Sequence, residues 1–245
     1  MLIFFESLFN AAKDEDEIQF FTSFFPFYVQ FRYNIISYTT DYEFLETLEL
    51  IKQFSIPKDT TGLDYKTQAR LMLFLYCHII EADYVFMVIY NMIRTIIKEE
   101  YCAQITIINK RKEIEIIEFS SQKVDLILSK TKELDIGAHA TFESLFDFKL
   151  RNAFNHSQYF LSEEGDLQVT AYESPSSKKF GKSGKYLYGF MEIKQFYEFS
   201  RIYIRSFIKC SEEIIKPYMN GEPHPTLYGP LKYNTDHNWV FEQKS

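Results

Sequence analysis

The chain has 245 residues, a formal net charge of -7, 46% hydrophobic and 18% aromatic residues, and only 8 Gly and 7 Pro. That length supports one large domain with a real core, and the scarcity of turn residues favours long helices over a many-stranded sandwich. The acidic balance excludes a general polyanion-binding surface, and three scattered cysteines without a CxxC pair (Cys77, Cys102, Cys210) suggest neither a disulfide framework nor a zinc site.

The N-terminal run MLIFFESLFNAAKDEDE is apolar but lacks the positive region of a signal peptide. No stretch reaches the roughly 18 charge-free residues of a membrane span, so a soluble, cytoplasmic protein without membrane contact is expected. The first 55 or so residues read as helical, with Pro26 interrupting the aromatic-dense run Phe20 to Phe31. Asp41 is placed to cap a helix reaching about Phe54, and Ile56 to Gly62 reads as a turn. Three regions follow: a helical N-terminal extension (1–60), a helical domain (61–218) and an irregular C-terminal tail (219–245). From about Asp64 to Tyr101 the apolar spacing predicts one long central helix. Gln104 to Phe119 is β-branched but carries a charged run, Asn109 to Glu113, and fits either a hairpin or two helical pieces. Ser121 to Leu134 reads as an amphipathic helix stopped near Gly137, and Thr141 to about His156 as the next helix. Tyr159 to Leu161 and Leu167 to Tyr172 then flank a hairpin-like turn. A polar loop, Ser174 to Lys185, precedes a short aromatic segment, and a last helix spans about Glu192 to Lys216, ended by Pro217 and Gly221.

Arg151 and His156 form an R-x4-H pair near the end of a predicted helix, within Leu150-Arg-Asn-Ala-Phe-Asn-His156. This wording, just before a hairpin and another long helix, resembles the HEPN family over about residues 64–216. That resemblance implies an α-helical bundle, here with a small β-hairpin insertion after the motif helix. It also implies a homodimer whose paired motifs line a shared positive cleft, and metal-independent endoribonuclease activity in a toxin or defence system. RNA would be cleaved through its 2′-hydroxyl to a 2′,3′-cyclic phosphate.

The residue types suit that chemistry. Histidine titrates near neutrality and serves as acid or base, while arginine stays charged and offers phosphate a planar fork. Asn152 fits the polar slot of the family motif and can orient a neighbour or donate to phosphate. No cofactor or metal is called for. On a straight helix, however, positions five apart point about 140° away from each other. Either the helix frays at Asn155, or two copies of the motif meet across a two-fold axis. The plain alternative pairs Arg151 with Asp147 at i,i+4 and lets His156 sit favourably at a helix C-terminus.

Glu81, amid Ile79, Ile80 and Phe86, needs a partner and could orient Arg151 or pair elsewhere. Asp83 and Arg94 read as surface or local pairs. In HEPN toxins encoded with a nucleotidyltransferase antitoxin, a Tyr lies two residues after the His; here Gln158 holds that position and Tyr159 follows it. That departure argues against regulation through this Tyr, and an antitoxin or other regulatory protein is a candidate partner beside RNA on the family resemblance alone. Gly181-Lys182-Ser183 lacks the first Gly of a phosphate loop and leads into a strand-like piece, which argues against nucleotide binding. Lys178, Lys179, Lys182 and Lys185 are weaker candidates for RNA-backbone contact. His78, His139, His224 and His237 show no metal-ligand spacing, and His78 reads as a core residue. Two other functions stay open: a non-catalytic HEPN-like module binding RNA, a nucleotide or a protein, and a helical interaction protein whose motif is coincidental.

Overall fold

Phe4, Phe5, Leu8, Phe9 and Ala12 recur at helical spacing and form the buried stripe of α1 (Leu2–Glu15). The structure is a computed structural model that describes residues 1–23, 63–171, 184–219, 228–233 and 239–243. The expected Pro26 interruption, the Asp41-capped helix and the Ile56 to Gly62 turn lie outside the described residues. Asp16 ends α1, and its carboxylate accepts from the Ile18 and Gln19 N–H groups, both at 3.0 Å, to start a second helical stretch. Phe4 stacks on Phe142 with ring centroids 4.8 Å apart, and Phe5 meets Tyr203 and Phe207 at 5.6 Å. The segment expected to stand apart as an extension therefore contributes its first helix to the common core.

The apolar run expected as one helix folds as two, α2 (Tyr65–Ile80) and α3 (Asp83–Ile96). The chain leaves helical geometry at Glu81 and Ala82, although no Gly or Pro marks the place. Asp64 caps α2 by accepting from Thr67 N–H at 2.7 Å. Among the described residues, Tyr65–Ile96 is the one helical run long and apolar enough to cross a membrane, yet 67% of its most apolar window is buried inside the protein. His78 is exposed and lies edge-on to Phe74, with ring centroids 4.3 Å apart, so it is not a core residue.

The ambiguous segment after α3 is a hairpin, β1 (Thr106–Ile108) with β2 (Ile114–Ile116), in register Thr106 to Ile116. The charged run is its turn: Asn109 Oδ1 accepts from the Arg111 and Glu113 N–H groups at 2.9 and 3.0 Å. Buried Asn91 of α3 anchors the approach, exchanging two hydrogen bonds with the Cys102 backbone at 2.9 and 3.0 Å. α4 (Ser120–Glu133) buries Lys123, Val124, Ile127 and Thr131 on one face. It ends with Leu134 as its C-cap, as expected, but the left-handed residue that turns the chain is Asp135 and not Gly137.

The helix expected over Thr141 to His156 is broken into α5 (His139–Glu143) and α6 (Phe148–Asn155). Buried Tyr76 explains the break, because its hydroxyl donates to Leu145 carbonyl at 3.1 Å and accepts from Asp147 N–H at 2.8 Å. The loop's backbone groups thus find partners without continuing a helix.

A three-stranded antiparallel meander follows: β3 (Tyr159–Leu161), β4 (Leu167–Ala171) and β5 (Gly184–Tyr188). Its first turn holds Gly165 at φ +83°, where a Cβ would lie 2.7 Å from the Phe190 ring and 2.9 Å from Tyr65 carbonyl oxygen. α7 (Phe190–Met219) runs longer at both ends than expected, through Pro217, and packs most extensively on α2. Its buried stripe includes Ile193, Tyr197, Tyr203, Ile204 and Phe207. The tail is not irregular: β6 (Tyr228–Tyr233) pairs with β7 (Trp239–Gln243). Pro230 falls where their register shifts, between Tyr228 and Leu231, as a residue without an N–H requires. The protein is mainly helical, with a small antiparallel β element directly after the helix that carries Arg151.

Candidate functional site

α6 buries Leu150 and Ala153 against the core, which turns Asn152 and Asn155 outward and leaves Arg151 half-buried. Asp147 starts this helix by accepting from the Lys149 and Leu150 N–H groups, both at 3.0 Å, and from the Tyr188 hydroxyl at 2.9 Å. Asp147 is therefore a cap, and the i,i+4 pairing with Arg151 is not formed.

The other end decides the geometry. His156 is the C-cap, with φ -93° and ψ 8°, and Ser157 adopts a left-handed φ of 54°. Ser157 N–H donates to Phe154 carbonyl at 3.1 Å, and Gln158 N–H to Ala153 carbonyl at 2.8 Å. These two bonds form a Schellman motif, here with serine where glycine is usual. Phe154 stacks on Tyr159 at 5.3 Å beside it. His156 N–H still donates to Asn152 carbonyl at 3.0 Å, so the chain keeps the helical path up to His156 and turns away at Ser157, close to the fraying expected at Asn155.

Arg151, Asn152 and His156 line one cavity of about 290 Å³, within a single chain. Phe148, Glu118, Phe119, Ser120 and Ser121 complete its lining. Phe119 is largely exposed at 67%. Ser120 and Ser121 open α4, which has no side-chain cap, so its first-turn N–H groups present partial positive charge to the cavity. Glu118 is the one carboxylate among the lining residues.

Glu81, at the C-cap of α2, forms an ion pair with Arg151. Asn155 Nδ2 donates to both Glu81 oxygens at 3.4 Å, and Arg151 Nη1 donates to Asn152 Oδ1 at 2.7 Å. Asn152 thereby keeps its amide nitrogen as a donor. Glu81 and Asn155 stand behind Arg151 and do not line the cavity, and neither does Tyr159. Burial pushes the nearby Cys77 thiol up to about 12, outweighing the opposing charge of Arg151, so Cys77 is no thiolate nucleophile.

Lys178, Lys179 and Lys182 lie outside the described residues, and Lys185 pairs opposite Thr170 in β5. Among the described residues, no three His, Cys, Asp or Glu side chains form a metal-binding group. Asp83 does not pair locally: it holds the buried Lys123 of α4 at 2.6 Å. Arg94 pairs with Glu99 at 2.8 Å. Sequence reasoning missed Phe119, Ser120 and Ser121. Their only signal was a serine pair at a helix start, and nothing in the chain order places that start opposite Arg151. No family model, no curated protein and no solved structure matches this chain.

Proposed function

We propose that the protein is a metal-independent endoribonuclease of the HEPN type, acting in the cytoplasm within a toxin or defence system. The observation that carries this reading is the convergence of Arg151, Asn152 and His156 on one cavity, opposite the uncapped N-terminus of α4. A phosphodiester seated there meets a fixed cation, an amide donor and helix N–H groups, while His156 moves protons. The 2′-hydroxyl attacks phosphorus as a base takes its proton. Arg151 and Asn152 neutralise the phosphorane, and the 5′-oxygen leaves with a proton from an acid. The products are a 2′,3′-cyclic phosphate and a 5′-hydroxyl.

Two proton transfers and one histidine per cavity favour a homodimer in which a second copy of the motif supplies the partner acid or base. Such pairing also concentrates positive charge in an acidic protein. Three free cysteines suit a reducing compartment. An antitoxin or other regulatory protein is the expected partner besides RNA.

The test compares wild type with His156→Ala and Arg151→Ala on RNA and on DNA of the same sequence. Each variant is expected to lose at least about a hundredfold in RNA cleavage while remaining folded. Undiminished cleavage by either variant, or cutting of DNA, which has no 2′-hydroxyl, overturns the proposal. A second reading, a module that binds RNA, a nucleotide or a protein without cleaving, draws on the engagement of Arg151 by Glu81. RNA binding by wild type and His156→Ala alike, with no cleavage by either, selects it.

A further inference from the structure

Beside the Arg151 cavity lies a larger one, of about 540 Å³, between α3 and the β1–β2 hairpin. Glu118 lines both. Met87 and the exposed Ile116 supply apolar surface over buried Val88, Ile105 and Ile117, and Tyr101, 39% exposed, stands at the lining with Glu118. The volume falls in the range of small-molecule sites, about 300–1,000 Å³.

The chemistry of this cavity differs from that of its neighbour. Its cation, Lys123, is held by Asp83 at 2.6 Å, so it offers no free charge to a phosphate. Glu118 is exposed and forms no hydrogen bond or ion pair among the described residues. The larger cavity thus combines apolar walls, an aromatic ring and a carboxylate acceptor, which suits a nucleobase. Bases stack on aromatic rings, and a carboxylate accepts from an exocyclic amine. Adenine, cytosine and guanine carry such an amine. Uracil has none, and its only ring N–H lies between two carbonyl oxygens that repel the carboxylate.

We propose that this second cavity is a base-specificity subsite, which takes the amino-bearing base of a nucleotide next to the scissile phosphate and rejects uracil. The proposal rests on the ribonuclease reading for the polarity of its ligand, but its test does not require cleavage. Glu118 reads the exocyclic amine, Tyr101 stacks on the ring, and the shared position of Glu118 joins base to phosphate.

Short fluorescent 2′-O-methyl oligonucleotides, which cannot be cleaved, serve as probes by anisotropy. Replacing uracil with adenine or cytosine in an otherwise all-uracil probe is expected to tighten binding by about tenfold. In Glu118→Leu that ratio falls towards one, whatever the overall affinity gains from removing a negative charge. Tyr101→Ala weakens the adenine probe more than the all-uracil probe. Equal binding of all-uracil and adenine-containing probes by wild type, or an undiminished ratio in Glu118→Leu, overturns the subsite. Cleavage of ordinary RNA without base preference removes the subsite and leaves the ribonuclease. A preference in binding without any cleavage keeps the subsite and removes the ribonuclease. No RNA binding at all removes both.

Discussion

Arg151 on α6 is held by Glu81 at the end of α2, a pair formed between two helices and not along one. Both side chains are about a quarter exposed, at 25% and 28%. Glu81 does not itself line the cavity and reaches it only through Arg151, so in the proposed ribonuclease its role is to position the guanidinium. Glu81→Ala is expected to lower kcat for RNA cleavage about ten- to a hundredfold with KM little changed, because misplacing a group costs reaction and not binding. A double-mutant cycle with Arg151→Ala, followed by urea unfolding, should give a coupling of about 1 kcal/mol. An unchanged or raised kcat in Glu81→Ala refutes the positioning role.

Asp147 carries a heavier structural duty than its sequence position suggests. It caps α6 through two backbone N–H groups and accepts the Tyr188 hydroxyl. Asp147→Ala should cost about 1–2 kcal/mol in chemical denaturation, with Asp147→Asn in between. Stability equal to wild type in the alanine variant contradicts this assignment.

The mainly helical class and the β element after α6 were legible from turn-poor composition and apolar spacing, but not every helix end was. α3, α4 and α6 all stop in Schellman geometry, at left-handed Lys98, Asp135 and Ser157. None of these is glycine, the residue that normally marks such an end in sequence. The end of α3 was therefore read too long, to Tyr101 where the helix stops at Ile96, whereas α4 and α6 end close to the expected Leu134 and His156. The break before Asp147 depends on a distant partner, Tyr76, that no local window contains, and no Gly or Pro announces the one at Glu81. Arg151, Asn152 and His156 share one short run of sequence, while the facing segment Glu118 to Ser121 meets them only through the fold.

Those left-handed ends make a further prediction. An L-residue pays sterically for left-handed geometry, by roughly 1–2 kcal/mol, partly offset when glycine adds freedom to the unfolded chain. Ser157→Gly should raise stability by about 0.5–1 kcal/mol while RNA cleavage stays near wild type. Ser157→Val should destabilise and, by shifting the adjacent His156, reduce cleavage as well. Gly165→Ala should act in the opposite direction from Ser157→Gly, because its Cβ would press on Tyr65 carbonyl oxygen as well as the Phe190 ring. Thermal or urea unfolding of the three variants checks the order. A Ser157→Gly variant less stable than wild type breaks the account.

Alkaline pH probes the core of α2. Burial pushes the Cys77 thiol from 9.0 up to about 12 and raises the buried Tyr76 hydroxyl as well. Both groups are neutral when protonated, so the folded state binds their protons more tightly than the unfolded chain. The resulting stability is fully present below pH 9, and for Cys77 it is lost progressively between pH 9 and about 12. Urea midpoints should accordingly fall as pH rises above 9, and Cys77→Val, which removes the thiol from a 3% exposed site, should flatten the slope. The same burial predicts that iodoacetamide modifies Cys77 slowly in the native protein at pH 8 and rapidly once urea unfolds it. Fast native alkylation of Cys77, or a slope identical in Cys77→Val, would place this thiol in contact with solvent and contradict the packing of α2 described above.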